Sequence, residues 1–133
     1  MKYQNPNDVL ALATLLLAQA ENESNRSEED VVIPTMARDA IWAEVLMMKS
    51  FLQNEGVATD DPCPLDRCLQ LCKNIDDRFS SLDTETLHIA QHHTTSTLDL
   101  DLPTARKLVD LAKHTASIIF SQAPSYWSIQ TQL

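Results

Sequence analysis

The chain has 133 residues, one glycine, and a formal net charge of −9 from 19 acidic and 10 basic residues. Ordinary proteins contain about 7% glycine, so this composition excludes glycine-rich phosphate loops and the nucleotide motifs built on them. Lysine and arginine form no cluster that could neutralise a phosphate backbone, and direct nucleic-acid binding is not expected. No apolar run reaches the roughly 18 residues of a membrane span.

The number and spacing of the cysteines indicate the redox environment of the protein. Cys63, Cys68 and Cys72 are an odd number of thiols close together in the sequence. Such a set is typical of reduced cysteines rather than of a disulfide framework. The N-terminal region lacks the pattern of a signal peptide. A cytoplasmic protein is therefore expected, with a core large enough to fold without metal, disulfide or cofactor.

The scarcity of glycine and the spacing of apolar residues predict an all-α fold, a single-domain bundle of about five helices over residues 1–133. The first helix is expected from about residue 7 to residue 20, and an acidic loop follows at 21–33. The second helix is expected over residues 34–55. It ends at Gly56, since glycine is favoured just past a helix C-terminus.

The second helix is the most hydrophobic element. Large apolar side chains widen its stripe beyond that of an amphipathic helix, which is typical of the centre of a bundle or of a subunit interface. A C-terminal tail at 124–133 carries further apolar groups and either folds back over the bundle or acts as a docking peptide. The residues predicted to take part in an interaction are Trp42, Leu46, Met47, Tyr126 and Trp127.

Three more helices complete the predicted bundle. The third is expected over about residues 65–79, followed by a tight turn. Asp83 is predicted to cap the fourth helix, which runs to about Thr97. Asp101 is predicted to start the fifth helix, which continues to about residue 122.

One constellation has the composition of a zinc site. Cys68 and Cys72 are four residues apart, as are His88 and His92, so each pair shares a helix face. The cysteines lie in an apolar stripe, whereas the histidines point away from theirs. The predicted turn also places Cys72 level with about Gln91 rather than with either histidine. Buried cysteines and solvated histidines are therefore expected, and the four-residue zinc site is the alternative.

Catalytic motifs are absent from the sequence. Neither a Gly-x-Ser-x-Gly nor a His-Glu-x-x-His pattern occurs. The adjacent His92 and His93 point about 100° apart on a helix and cannot share one substrate. The thiols are expected to be buried, which is unfavourable for a nucleophile. The sequence favours a non-enzymatic protein and assigns no catalytic residue.

Two segments within residues 41–120 carry a resemblance to a known family. They are 43–52, closed by Gly56, and 82–102, which contains Leu87, Ala90 and His93. The first resembles the alanine- and lysine-bearing central helix of HEPN domains. The second is similar to their fourth helix and its approach to the last. HEPN domains are small helical bundles of bacterial toxin–antitoxin and defence systems, also found beside nucleotidyltransferases.

The ribonuclease motif of that family, an arginine followed after about four to six residues by a histidine, is missing. Arg78 precedes His88 by ten positions and Arg106 precedes His114 by eight. The resemblance therefore implies a catalytically silent member that acts as a dimeric binding partner or scaffold.

These observations predict a non-catalytic interaction or regulatory protein that binds a protein partner and can form a homodimer. The HEPN resemblance implies a partner in a toxin–antitoxin or defence system. The alternative is an acidic inhibitor that imitates nucleic acid and binds a basic partner. A zinc-binding or enzymatic helical protein is the third hypothesis. Neither a membrane nor a nucleic acid is an expected partner.

Overall fold

Helices account for most of the structure, a computed structural model that describes residues 6–58 and 63–122. These residues form five α-helices and one 3₁₀ helix and contain no strand, which confirms the all-α prediction. None of the helices in the described ranges is long and apolar enough to cross a lipid bilayer. The elements are α1 (Pro6–Ser24), α2 (Ile33–Asn54), α3 (Leu65–Ile75), the 3₁₀ helix (Asp77–Ser81), α4 (Thr84–His92) and α5 (Leu102–Gln122).

Helix α2 is the centre of the bundle. It packs against α1, α3 and α5, and α4 packs against α3 and α5. The rings of Phe51 in α2 and Phe79 in the 3₁₀ helix lie 4.8 Å apart between centroids. Alanines with no exposed surface let neighbouring helices approach closely. They are Ala13 and Ala20 in α1, Ala37, Ala40 and Ala43 in α2, Ala90 in α4, and Ala105 and Ala112 in α5.

Side-chain caps set two of the helix starts as predicted. Asp83 Oδ1 accepts a hydrogen bond from the Glu85 backbone N–H (3.1 Å) at the start of α4. Asp101 Oδ1 accepts one from the Thr104 N–H (2.9 Å) at the start of α5. Each bond satisfies one of the backbone donors that a helix N-terminus leaves without a partner.

Other helix ends differ from the prediction. Helix α1 continues into the acidic segment as far as Ser24, whereas α4 stops at His92. Helix α3 ends at Ile75 rather than at Phe79, because the Asp76 carboxylate accepts from the Arg78 N–H (2.9 Å) and starts the 3₁₀ helix. Such local bonds compete with the helical ladder.

The earlier end of α3 changes the register of the hairpin that α3 forms with α4. Gln91 Oε1 accepts from the backbone N–H of Asp66 (2.8 Å), so Gln91 lies level with the first turn of α3. The prediction that it lies level with Cys72 is wrong. The 3₁₀ helix replaces the expected last turn of α3 and shifts α4 along its neighbour.

A carboxyl group lies in the core between α2 and α5. Glu44 has no exposed surface, and its Oε2 accepts a hydrogen bond from Thr115 Oγ1 (2.7 Å). Its Oε1 has no hydrogen-bond partner among the residues that the structure describes. Burial raises the pKa of Glu44 to about 8, and the bond from Thr115 only partly opposes this. The group is therefore largely uncharged at neutral pH.

Glu44 should make stability depend on pH. The unfolded chain releases this proton near pH 4.5, whereas the folded chain keeps it to about pH 8. The free energy of unfolding should therefore fall as pH rises through this window, by up to about 1.4 kcal/mol per pH unit. Urea unfolding at a series of pH values measures the slope. Glu44→Gln should remove it, whereas the exposed Glu55→Gln should not. An equal slope in Glu44→Gln would contradict this assignment.

Gly56 has the left-handed conformation expected after the end of a helix. Its φ is +77°, and a Cβ added there would meet no atom of residues 6–58 and 63–122 within 4 Å. Any cost of a side chain is therefore backbone strain rather than a clash.

Gly56→Ala should lower the free energy of unfolding by about 1 kcal/mol, as the left-handed region disfavours a Cβ. Gly56→Asn should cost less, because asparagine tolerates that region better. Urea unfolding of both variants beside the parent chain tests the order. A loss of several kcal/mol in Gly56→Ala would instead indicate a steric role.

Candidate interaction surface

One face of the bundle exposes two large apolar side chains around a shared cavity. Trp42 on α2 is 41% exposed, and Leu98, in the loop between α4 and α5, is 77% exposed. Both line a cavity of about 400 Å³. Trp42 also borders a second cavity, of about 380 Å³. We call the surface around both cavities the Trp42 face. It comprises Pro34, Thr35, Arg38, Trp42, Val45, Lys49, Cys63, Pro64, Leu65, Gln91 and residues 93–98.

The helical repeat of α2 builds one side of this face. Arg38, Trp42, Val45 and Lys49 follow one another at intervals of four, three and four residues. Residues at these intervals lie along one stripe of a helix. The stripe places Trp42 between two cationic side chains, at the border that the two cavities share.

Hydrogen bonds hold the loop that carries Leu98. Thr97 Oγ1 donates to the carbonyl oxygen of Pro34 at the start of α2 (2.7 Å). His93 Nδ1 donates to the Ser96 carbonyl (3.1 Å), and the Leu100 N–H donates to the Thr97 carbonyl (3.3 Å). The turn is thus bonded to α2, and Leu98 is the large apolar side chain among those that it presents to solvent.

The charge of this face differs from that of the whole chain. Arg38, Lys49 and His93 line the cavities, and no carboxylate is among the described residues that do so. The chain as a whole has 19 acidic residues and 10 basic ones. Arg38 Nη2 lies 3.4 Å from Oδ1 of the buried Asp39. Burial raises the pKa of Asp39, an effect that Arg38 opposes.

The five residues predicted to take part in an interaction have different positions. Trp42 lies on the exposed face, and Leu46 is half-buried against the core. Met47 is only 2% exposed. Its side chain belongs to the hydrophobic core and adds no surface to the exposed face. Tyr126 and Trp127 lie outside the described residues.

The four residues of the alternative zinc site are not brought together. Cys68 and Cys72 are buried in the core, whereas His88 and His92 are exposed on α4. The two imidazoles instead bond to each other, with their Nε2 atoms 3.0 Å apart. Within residues 6–58 and 63–122, no three histidine, cysteine or acidic side chains form a group that could hold a metal ion.

The structure also forms a serine–histidine pair that the sequence did not indicate. Ser81 Oγ lies 3.1 Å from His114 Nε2, 33 positions along the chain. The same hydroxyl donates to the Arg78 carbonyl (2.7 Å). A hydroxyl has one proton, so His114 is here the donor and Ser81 the acceptor. An activated serine needs the opposite arrangement. The pair therefore has a structural role in this conformation.

Comparison with known proteins adds no relative. No protein-family model, curated protein or solved structure matches this chain. The HEPN resemblance stays a prediction that rests on the quoted segments, and the function has to be inferred from the geometry of the chain itself.

The contrast between Leu98 and Met47 can be measured. Leu98→Ser should change the free energy of unfolding by no more than about 0.5 kcal/mol, because most of this side chain is already in water. Met47→Ala should lower it by about 2–5 kcal/mol, since it leaves a cavity in the core. Urea unfolding of the two variants provides the comparison. A loss at Leu98 as large as that at Met47 would show that Leu98 is a core residue.

Proposed function

We propose that this chain is a non-catalytic protein-binding domain that recognises its partner through the Trp42 face. The observation that carries the proposal is the exposure of Leu98 on a turn held to α2, at a cavity that it shares with the exposed Trp42. The bond from Thr97 to Pro34 favours the conformation in which this leucine is exposed. Exposed apolar groups beside a cavity are typical of binding surfaces, and tryptophan is prominent among residues that dominate binding energy.

The chemistry of the face indicates the partner. Trp42 and Leu98 suit an apolar side chain inserted between them. Arg38 and Lys49 supply positive charge on both sides of Trp42, and hydroxyl groups of the 93–98 segment supply hydrogen bonds. The complementary partner is a protein segment with an apolar side chain flanked by carboxylates. Electrostatic complementarity of this kind selects partners and speeds their association.

A catalytic role has less support than a binding role. Arg78, the arginine nearest in sequence to His88, donates from Nη2 to Asp76 Oδ2 (2.9 Å) and from Nη1 to Ser121 Oγ (2.7 Å). The bond from Arg78 also lowers the pKa of the Asp76 carboxyl. This arginine fastens the 3₁₀ helix to the end of α5. Its role supports the proposal that a HEPN-like member of this kind would act as a partner in a toxin–antitoxin or defence system rather than as a ribonuclease.

Selection from a random peptide library displayed on phage tests the proposal. The immobilised full chain should enrich peptides with a large apolar residue between aspartates or glutamates. The double variant Trp42→Ser, Leu98→Ser should lose this enrichment. The variant Leu15→Ser should keep it, because Leu15 is a similarly exposed leucine (54%) on α1, away from the face. Arg38→Gln should weaken binding of the enriched peptides and reduce the effect of salt on it.

Other outcomes would refute the proposal. Enriched peptides that are basic, and that bind the double variant equally well, would favour the acidic-inhibitor hypothesis. Light scattering distinguishes a heterologous partner from a second copy of this chain. If the parent chain forms a stable dimer and the double variant is a monomer, the face joins two copies of this chain. The proposal of an acidic heterologous ligand would then be wrong.

A further inference from the structure

We propose that Cys63 and Cys68 form a reversible disulfide by exchange with a small-molecule disulfide of the glutathione type. The sulfur atoms of these two residues lie 3.0 Å apart. Cys63 also lies on the Trp42 face, but the exchange needs no bound protein, so the inference is independent of whether that face binds a partner.

The start of α3 brings the two thiols together. Cys63 lies one residue before Pro64, the residue that precedes α3, and Cys68 lies in the first turn and a half of the helix. The backbone N–H of Cys68 donates to the Pro64 carbonyl (3.0 Å). This is the first bond of the helical ladder, and it fixes Cys68 one turn beyond the point where the chain enters the helix, with its sulfur against that of Cys63. Two sulfur atoms at this distance need only a small approach to bond.

The two thiols differ in access. Cys63 is 8% exposed and lines the 380 Å³ cavity together with Trp42 and Lys49, whereas Cys68 is 1% exposed and does not line it. A small disulfide that enters this cavity therefore meets Cys63 first.

The direction of the hydrogen bond between the thiols agrees with a reaction in which Cys63 reacts before Cys68. Cys68 donates its S–H to Cys63 Sγ. Burial and, to a smaller extent, the bond to Cys63 raise the pKa of Cys68 to about 12. The proton therefore stays on Cys68 until Cys63 has reacted.

The exchange balances in two steps. The Cys63 thiolate attacks one sulfur of the incoming disulfide, and the first thiolate leaves as Cys63 becomes a mixed disulfide. Cys68 then loses its proton and attacks the Cys63 sulfur, which expels the second thiolate. The protons of Cys63 and Cys68 end on the two released thiols. Two protein thiols are oxidised, and one external disulfide is reduced to two thiols.

Cys72 takes no part in this exchange. It has no exposed surface and lies one turn further along α3. Burial is the main cause that raises its pKa, with neighbouring Cys68 and Glu44 contributing. An external disulfide cannot reach a thiol with no exposed surface, and the sulfur within bonding reach of Cys63 is that of Cys68.

Mass mapping after reaction with oxidised glutathione tests the inference. The folded full chain is incubated with the oxidant, its remaining thiols are blocked, and its peptides are analysed without reduction. A Cys63–Cys68 bridge is expected with Cys72 unmodified, and dithiothreitol should reverse it. Cys72→Ala should form the same bridge. Cys68→Ala should instead accumulate a stable glutathione adduct on Cys63, and Cys63→Ala should stay unmodified.

Several outcomes would overturn it. They are a bridge to Cys72, a stable glutathione adduct on the parent chain, and reaction of Cys68 in Cys63→Ala. The inference would also be wrong if the folded chain did not react with oxidised glutathione although all three thiols reacted in denaturant. Circular dichroism confirms that each variant is folded before the reaction. Because the readout is a mass, it is independent of any result on partner binding.

Discussion

The burial of α2 on several sides is the constraint on which the rest of the structure depends. Three other helices pack against it, and its interior positions are filled by alanine, methionine and branched aliphatic side chains. A helix covered in this way leaves only one stripe to solvent, the stripe that begins at Arg38 and contains Trp42. The interaction surface is therefore the part of the central helix that its neighbours leave open. Its rigidity comes from the core directly behind it.

The same constraint explains the unusual carboxyl group at Glu44. A glutamate halfway along a surrounded helix cannot reach water, and the nearest polar partner is a single threonine hydroxyl on α5. Keeping the proton costs less free energy than burying a charge with one hydrogen bond. Stability of the bundle is thereby linked to the protonation of one side chain.

Local signals in the sequence were sufficient for much of the fold. Asp83 and Asp101 cap their helices and Gly56 ends one, because each depends only on its own backbone neighbours. The end of α3 was missed, since the Asp76 side chain competes with the helix there. The burial of Met47 also could not be predicted. It requires knowledge of which helices surround α2, and an apolar stripe is compatible with either a core or an interface.

The functional residues were likewise predictable from the sequence only where they depend on local pattern. Trp42 was predicted as an interaction residue, but Leu98 was not, because its exposure depends on a bond between Thr97 and Pro34, 63 positions away. The bond between Cys63 and Cys68 likewise depends on how the chain enters α3. Spacing alone emphasised Cys68 and Cys72, which share a helix face. The pair that meets is the one that straddles the start of the helix.

The pairing of α2 with α5 has a consequence for the order in which the molecule assembles. Pro34 meets Thr97 and Glu44 meets Thr115, so the two helices run in the same direction across separations of 63 and 71 residues. Contacts between distant parts of a chain form slowly, because a long loop must close first. During synthesis α1 and α2 emerge as a neighbouring pair, whereas the helix that covers Glu44 is the last of the five described helices to emerge. A nascent chain that stops before residue 102 would expose the apolar surface of α2 that α5 covers, which makes that stage prone to aggregation or chaperone capture.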